Sequence, residues 1–400
     1  MMYLDNAATT PVLESSLRAA WPWLTAEFGN PSSTHELGLR AKAALESARE
    51  SVAQSIVARA SEVVFTSGAT EANNLAIKGI ALATPRGRHI VSAKTEHSSV
   101  LASIEYLSRI HGFEVTWLAV DFEGQISVDE LAAAVRPDTT LVALMWVNNE
   151  SGVVHPMHEI SRICKNASVP LHCDAVQAVG HFDTNMHDYE FTSMALAGHK
   201  IGAPKGVGAL YLRGGTPFES TLNGGGQEFE LRSGTQNVAW AVAFADALDH
   251  ASRRGSRHSV VGKLAAETTA FIREVMREVP NARLVGPALE ASSANQRERT
   301  PAIASFVFEG LNGETILLEL EERGIICSSG SACSAGSTEP SHVLTAMGYD
   351  EDLARTAVRF SFAQPLDAAA IAAELEPFST DKVVDALIEI TGKLRGKLNA

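Results

Sequence analysis

Short apolar runs of strand length alternate with helical stretches from residue 62 to residue 212, and that alternation leaves few architectures open. "EVVFTSG" (62–68), "HIVSA" (89–93), "EVTWLAV" (114–120), "TTLVALMWV" (139–147), "PLHCDA" (170–175), "FTSMALA" (191–197) and "VGALYL" (207–212) read as strands. Helices are predicted over 69–83, 98–110 and 127–135, the last opened by a capping box from Ser127 to Glu130. An earlier helix places Leu37, Ala41, Leu45, Ala48, Val52 and Ile56 on one face. Strands and helices in that order build crossover units, hence an α/β fold with a mostly parallel sheet and helices on both faces. Sheets of this kind bind ligands beyond the carboxyl ends of their strands. "TSGAT", "KTEHSS", "NNESG", "DAVQ" and "AGHK" each follow a predicted strand, so the chemistry is expected in those loops.

A second α/β unit is expected to begin near Arg253, where "SRRGSRH" breaks the pattern. Its strands are 301–308 and 356–362, its helices lie near 314–323, 339–347 and 366–376, and "KVVDALIEITGKLRGKL" (382–398) closes it. With 45% hydrophobic and 20% charged residues among 400, the chain can build sizeable cores. A net charge of −14 argues against sequence-independent binding to nucleic-acid phosphates. No apolar run approaches the ~18 residues of a membrane span, and "MMYLDNAATTP" lacks the apolar core of a secretory signal. Cys164, Cys173, Cys327 and Cys333 are too few for a disulfide framework. A reducing cytoplasm is the expected compartment.

Asp174 ends one predicted strand, and Lys200 follows the next. In a parallel sheet both side chains can face one crevice. A lysine opposite a carboxylate suits pyridoxal phosphate (PLP): the amine forms a Schiff base and the carboxylate keeps the pyridine nitrogen protonated. "SGAT" offers backbone N–H groups and the Thr70 hydroxyl at a helix N-terminus, a natural phosphate site. His97, Asn149 and Gln177 sit on neighbouring strand-end loops, where an imidazole face can stack on an aromatic ring. Competing patterns are weaker. His155, His158 and Glu159 resemble a metal cluster, but a Pro-containing loop is a poor ligand platform, and no metal is expected. "HCD" (172–174) mimics a thiol-protease trio, yet successive strand residues point to opposite faces. "NGGGQE" and "GVG" lack the strand–helix context of a dinucleotide site.

"SSGSACSAGS" (328–337) places Cys333 among residues too small to pack, which predicts a thiol on a tether. In order along the chain stand "YLDNAATTP", "GNPSSTH", "FTSGATEANNLAI", "TEHSSV", "VNNESG", "DAVQ", "GHKIGAPKGVGALY", "GGGQE", "RSGTQN", "SSGSAC", "EPSHVL" and "RFSF". From Tyr3 to about Phe362 this series resembles the cysteine desulfurases of the NifS/IscS type, class V enzymes of PLP fold type I. The small loop residues resemble the long-loop branch of that family.

The resemblance implies a large PLP-binding domain over 13–253, with a seven-stranded-type sheet. It implies a small domain from 1–12 and 254–400 that carries the catalytic loop 328–337. Lys200 would hold PLP, Asp174 would pair with the pyridine nitrogen, and Gln177 with the ring hydroxyl. His97 would stack on the ring and assist proton transfer. Ala69, Thr70 and His199 would hold the phosphate, joined by Thr235 from the partner subunit of a homodimer. Asn149 and Arg359 would bind the carboxylate of L-cysteine, and Cys333 would accept its sulfur as a persulfide for acceptor proteins in iron–sulfur cluster assembly, tRNA thiolation or DNA sulfur modification. An alternative within the class is a selenocysteine lyase or an aminotransferase; a transaminase needs no thiol. Cys327 reads as a buried strand cysteine. One departure stands out: the run "ALAGHK" has Ala197 where the family usually places a phosphate-binding serine. Ala197→Ser is therefore expected to tighten PLP binding by about 1.5–3 kcal/mol at most, the worth of one hydrogen bond to a charged group. Retention of PLP on dialysis measures it, and unchanged retention would show that another group already fills the gap.

Overall fold

The computed structural model describes residues 1–83, 85–255, 258–289, 298–330, 339–363 and 375–398. Twelve strands occur among them: β1 (Met2–Tyr3), β2 (Val63–Thr66), β3 (His89–Ala93), β4 (Glu114–Leu118), β5 (Thr139–Met145), β6 (Leu171–Asp174), β7 (Ser193–Ala197), β8 (Gly208–Leu212), β9 (Ala282–Val285), β10 (Ile303–Phe308), β11 (Ile325–Ile326) and β12 (Val358–Ser361). Seven of these form one sheet in the order β2-β8-β7-β6-β5-β3-β4. Only β8 runs against its neighbours, pairing antiparallel with both β2 and β7. A short connection joins β7 to β8, too short for the crossover a parallel pair needs.

Both faces of this sheet are covered. On one, the helices Glu36–Ser55 and Val238–Gly255 pack through Leu45, Val52, Phe244 and Leu248 against Val142, Leu144 and Met194. On the other, Ala69–Ala83 and Ser98–His111 bury Leu75, Ile77, Ile104 and Leu107 against Ile90, Leu141 and Ala195. The central strands are buried on both sides, so β5 and β7 read as mostly apolar runs rather than alternating ones, while the polar residues of β6, His172 and Asp174, are buried with them.

A three-stranded antiparallel sheet, β12-β10-β9, carries a separate core with the helices His258–Glu278, Gly313–Glu322 and Thr380–Leu398. Its centre is aromatic: the ring of Phe271 makes edge contacts with Phe306, Phe360, Phe362 and Phe378 at 5.3–5.9 Å between centroids. Met2 and Leu4 belong to this core, because β1 pairs with β11. We propose the division of the chain into 13–253 and 1–12 with 254–400 on the strength of these separate cores.

Most predicted elements recur with ends shifted by a residue or two. The predicted strand 139–147 stops at Met145, and the predicted helix 339–347 narrows to His342–Ala346. The Ser127 hydroxyl accepts from the Glu130 N–H at 3.3 Å, as a capping residue should. Most of the helix expected near 366–376 lies outside the described residues. The stretch holding His158 and Glu159 is a helix, Met157–Asn166, rather than a loop. There His158 stacks on Tyr189 at 4.4 Å, while His155 is buried just before the helix starts. Phe271→Ala is expected to cost about 3–5 kcal/mol, the usual range for emptying a buried aromatic site. The check is the shift in denaturation midpoint.

Candidate active site

The carboxyl ends of the parallel strands β2, β3, β5, β6 and β7 lie along one edge of the sheet, and the loops that leave them carry Thr70, His97, Asn149, Gln177 and Lys200. Asp174 is the last residue of β6 and is buried. Its Oδ1 accepts from the Val176 N–H at 3.1 Å and its Oδ2 from Asn73 Nδ2 at 2.7 Å. Asn73 lies on the buried face of Ala69–Ala83, where it also donates to Ser99 Oγ at 2.9 Å and meets His172 Nε2 at 2.9 Å. His97 caps the helix Ser98–His111: its Nδ1 accepts from the Ser99 N–H at 3.1 Å and lies 2.8 Å from Ser99 Oγ. His172 and Asp174, two apart on one strand, share a face and meet the same asparagine.

Lys200 ends a tight turn directly after β7. Its Nζ donates to the carbonyls of Ala7 and Ala8, the latter at 2.7 Å. Gln177 Nε2 donates to the same Ala7 carbonyl at 3.0 Å. Thr9 Oγ1 lies 3.2 Å from His199 Nδ1, and the Thr10 N–H donates to the His199 carbonyl at 2.8 Å. Burial, reinforced by Lys200 and Lys205, lowers His199 to about 4, so its ring is neutral. Burial likewise lowers His172 to about 4 against the pull of Asp174. Glu96 is wholly buried, with Oε1 on the Met145 N–H at 2.9 Å and Oε2 without a partner among the described residues. Burial, aided by the charge of Asp174, holds it well above the usual carboxylate range.

Ala69 and Thr70 open the helix after β2, past a turn in which Gly68 adopts φ 154°. The chain passes so close to β8 there that a Cβ on Gly208 would lie 2.8 Å from Gly68 Cα and 2.5 Å from the Leu196 carbonyl. A Cβ on Gly68 would meet nothing within 4 Å, so the turn before the helix is open on that side, while Glu71 accepts from the Ser67 N–H at 2.7 Å and pairs with Arg232 at 2.6 Å. Arg359 on β12 is buried. It donates to the Asn149 carbonyl at 2.8 Å and to Asp5 Oδ1 at 2.9 Å, while its Nε has no partner among the described residues.

Cys333 lies in 331–338, outside the described residues. The points where that segment leaves and rejoins the structure are both tied to Glu150. Ser341 Oγ donates to Glu150 Oε2 at 2.5 Å, and a Cβ on Gly330 would lie 2.7 Å from the same oxygen. Cys327 follows β11 and is partly buried; burial, with Asp5 adding to it, pushes its thiol far up. Burial raises Cys164 to about 12 and Cys173 well above the usual range.

Thr235 is exposed, between the anchored turn Glu228–Glu230 and the helix Val238–Gly255. The anchor is a buried ion pair: Arg49 donates to Glu228 at 2.6 and 2.9 Å. Glu228 also accepts from the Phe65 N–H at 2.8 Å and from Gln236 at 2.6 Å. Asn73, Ser99, Asp5, Glu150 and the Arg49–Glu228 pair escaped sequence reasoning. Asn73 had a readable signal, since it is a polar residue on the apolar face shared by Ala72, Ala76 and Ile77. Ser99 meets Asn73 across only 26 residues, but Asp5, Glu150 and the Arg49–Glu228 pair meet their side-chain partners across more than a hundred.

The aminotransferase class-V family model matches residues 2–373. A cysteine desulfurase IscS from Dictyoglomus turgidum is 41% identical over 361 residues, 90% of this chain and 89% of that one. A NifS-like protein of known structure superposes with a TM-score of 0.85 at 32% identity, covering 99% of each chain. SspA, solved in complex with cysteine, gives a TM-score of 0.77 at 34% identity over 91% of this chain and 99% of that one. Kinship over this length, on the same fold, places the chain in the class-V aminotransferase family of PLP-dependent enzymes. Within that family it belongs with the cysteine desulfurases of the NifS/IscS type.

Removing one member of a buried ion pair strands the other. Arg49→Met is therefore expected to cost about 3–5 kcal/mol. Replacing Glu228 by Gln in the same chain should restore much of the loss. Denaturant midpoints of the two variants check both statements.

Proposed function

We propose that this desulfurase converts L-cysteine to L-alanine with Lys200 as cofactor lysine and proton carrier, Arg359 as carboxylate site and Cys333 as sulfur acceptor. The observation that carries the reading is that one short segment, Asp5 to Thr10, bonds Lys200, Gln177, His199 and Arg359 at once. Lys200 and Arg359, 159 positions apart in the chain, are thus held by the same segment, which supports reading them as parts of one site.

The residues fit PLP. A buried carboxylate whose two oxygens are already oriented suits a pyridinium nitrogen, and an amine at a strand end suits a carbonyl carbon. The helix start at Ala69 and Thr70, preceded by a turn with open space beside Gly68, suits a phosphate. Asp174 would pair with the ring nitrogen, Gln177 with the ring hydroxyl, and His97 would lie on the ring face. His199 would join the phosphate, with Thr235 reaching it from the other subunit of a homodimer. PLP supplies an electron sink for the pairs released at the substrate's Cα and Cβ.

The chain's own groups do the rest. Arg359 and Asn149 orient the substrate carboxylate; the partnerless Nε of Arg359 is a donor suited to it. Lys200 Nζ takes the Cα proton. The Cys333 thiolate attacks the substrate sulfur: an S–S bond forms, the Cβ–S bond breaks, and its electron pair stays with the carbon product. The carbon product gains protons to become alanine, and the persulfide on Cys333 passes to an acceptor protein. Burial suppresses the thiolate at Cys164, Cys173 and Cys327, which supports the assignment to Cys333. No described helix is long and apolar enough to cross a membrane; the few cysteines fit a reducing cytoplasm.

Cys333→Ser is expected to abolish persulfide and alanine formation while keeping the visible band of bound PLP and its change on adding L-cysteine. Cys327→Ser should retain activity. Alanine release with reductant and mass spectrometry of the persulfidated peptide decide the matter. Extra sulfur on Cys327, or turnover by Cys333→Ser, would overturn the assignment.

A further inference from the structure

We infer that Asn73 is a positioning residue that holds the Asp174 carboxylate and, through Ser99, fixes His97 as the ring form with its proton on Nε2. The inference rests on the proposed placement of Asp174 and His97 at the cofactor; the hydrogen-bond chain itself stands without it.

The directions along the chain follow from what each group can give. Both oxygens of Asp174 accept, one from the Val176 N–H and one from Asn73. A carboxylate has no hydrogen to offer, so the amide nitrogen of Asn73, and not its oxygen, must face Asp174. The second hydrogen of that nitrogen goes to Ser99 Oγ at 2.9 Å. Asn73 Oδ1 can only accept, and the group that meets it is His172 Nε2 at 2.9 Å. His172 therefore carries its proton on Nε2, and its Nδ1 accepts from Ser193 Oγ at 2.9 Å. With His172 lowered to about 4 by burial, it has one ring hydrogen to place, and that hydrogen is spoken for.

The other branch runs to His97. Ser99 Oγ receives from Asn73 and turns its own hydrogen to the acceptor beside it, His97 Nδ1 at 2.8 Å. The same nitrogen also receives the Ser99 N–H at 3.1 Å. Two donors on Nδ1 leave no place for a hydrogen there, so the neutral ring carries it on Nε2. A proton on Nδ1 would also break the cap of the helix Ser98–His111. Asn73 has no exposed surface, so water does not compete for any of these bonds. His97 thus offers an N–H from its outer nitrogen, where it can give a hydrogen bond or a proton, and the task of accepting one falls to Lys200.

The test is the nitrogen spectrum of the histidine rings in the PLP-loaded enzyme labelled with 15N-histidine. The signals of His97 are identified by their loss in His97→Gln. The expected pattern has Nδ1 in the unprotonated range and Nε2 in the protonated range; the reverse pattern, or both protonated near neutral pH, overturns the inference. Asn73→Leu removes every donor and acceptor of the asparagine at similar volume. It should shift both His97 signals toward the averaged position of two exchanging forms, and unmoved signals would show that Asn73 does not position the ring. If Asn73→Leu does not fold, Ser99→Ala, which keeps the backbone N–H, serves instead, with a smaller shift of Nδ1 expected and no shift counting against the inference. Absorbance of bound PLP in the same samples reports separately on the proposed function, so its loss would sink that reading and leave the ring result standing.

Discussion

Five residues near the start of the chain hold the two halves of this structure in register. Met2 and Leu4 are buried in the aromatic core of the smaller sheet, while the backbone carbonyls of Ala7 and Ala8 receive the Lys200 ammonium at the end of a strand in the larger one. Between them Asp5 pairs with Arg359, a buried guanidinium that must find acceptors wherever it goes. Lys200 and Arg359, 159 residues apart, are thus both held by one segment whose own apolar residues belong to the smaller core. Disturbing that segment would move the proposed anchor of the cofactor and the proposed site of the substrate carboxylate together.

The crevice is polar and dry at once, and its architecture follows from that conflict. Asp174, Asn73, His172 and Ser193 are all buried, and each is supplied with a partner of the right sense. Half-satisfied polar networks are costly in a low-dielectric interior, so a network that closes is also rigid. Glu96 lies beside it under the same conflict, and burial, with the charge of Asp174, favours its protonated form. Glu150 ties the crevice to the ends of the segment that carries Cys333, through Ser341 on one side and close contact with Gly330 on the other. Gly330 and Ser341, on either side of 331–338, thus both stand beside the loop that holds Asn149.

The alternation of strands and helices and the sheet class were legible in the sequence, as was the placement of Lys200, Asp174, His97 and Gln177 at or just after strand ends. Strand β8 illustrates the boundary of that legibility. Its residues read correctly as a strand, but its antiparallel direction depends on the short link from β7 and on Gly208 fitting beneath Gly68. The helix Met157–Asn166 was hidden by the proline before it, whose ring suits a helix start as well as a loop. The roles of Asp5, Ala7 and Ala8 were not legible at all, because two of them act through backbone carbonyls that every residue possesses.

By itself the sequence determined periodicity, and periodicity specifies which face of each element is apolar and where loops must gather. It also determined which reactive side chains stand at strand ends, since a residue following an apolar run of strand length can lie nowhere else. Only the tertiary structure decided which of these groups meet. Asn73 reaches Asp174 across 101 residues, Arg49 reaches Glu228 across 179, and Asp5 reaches Arg359 across 354. Such contacts depend on how two packed layers and two cores come to rest against each other. Close packing sets that arrangement collectively, over many side chains, and no local stretch of the chain encodes it alone.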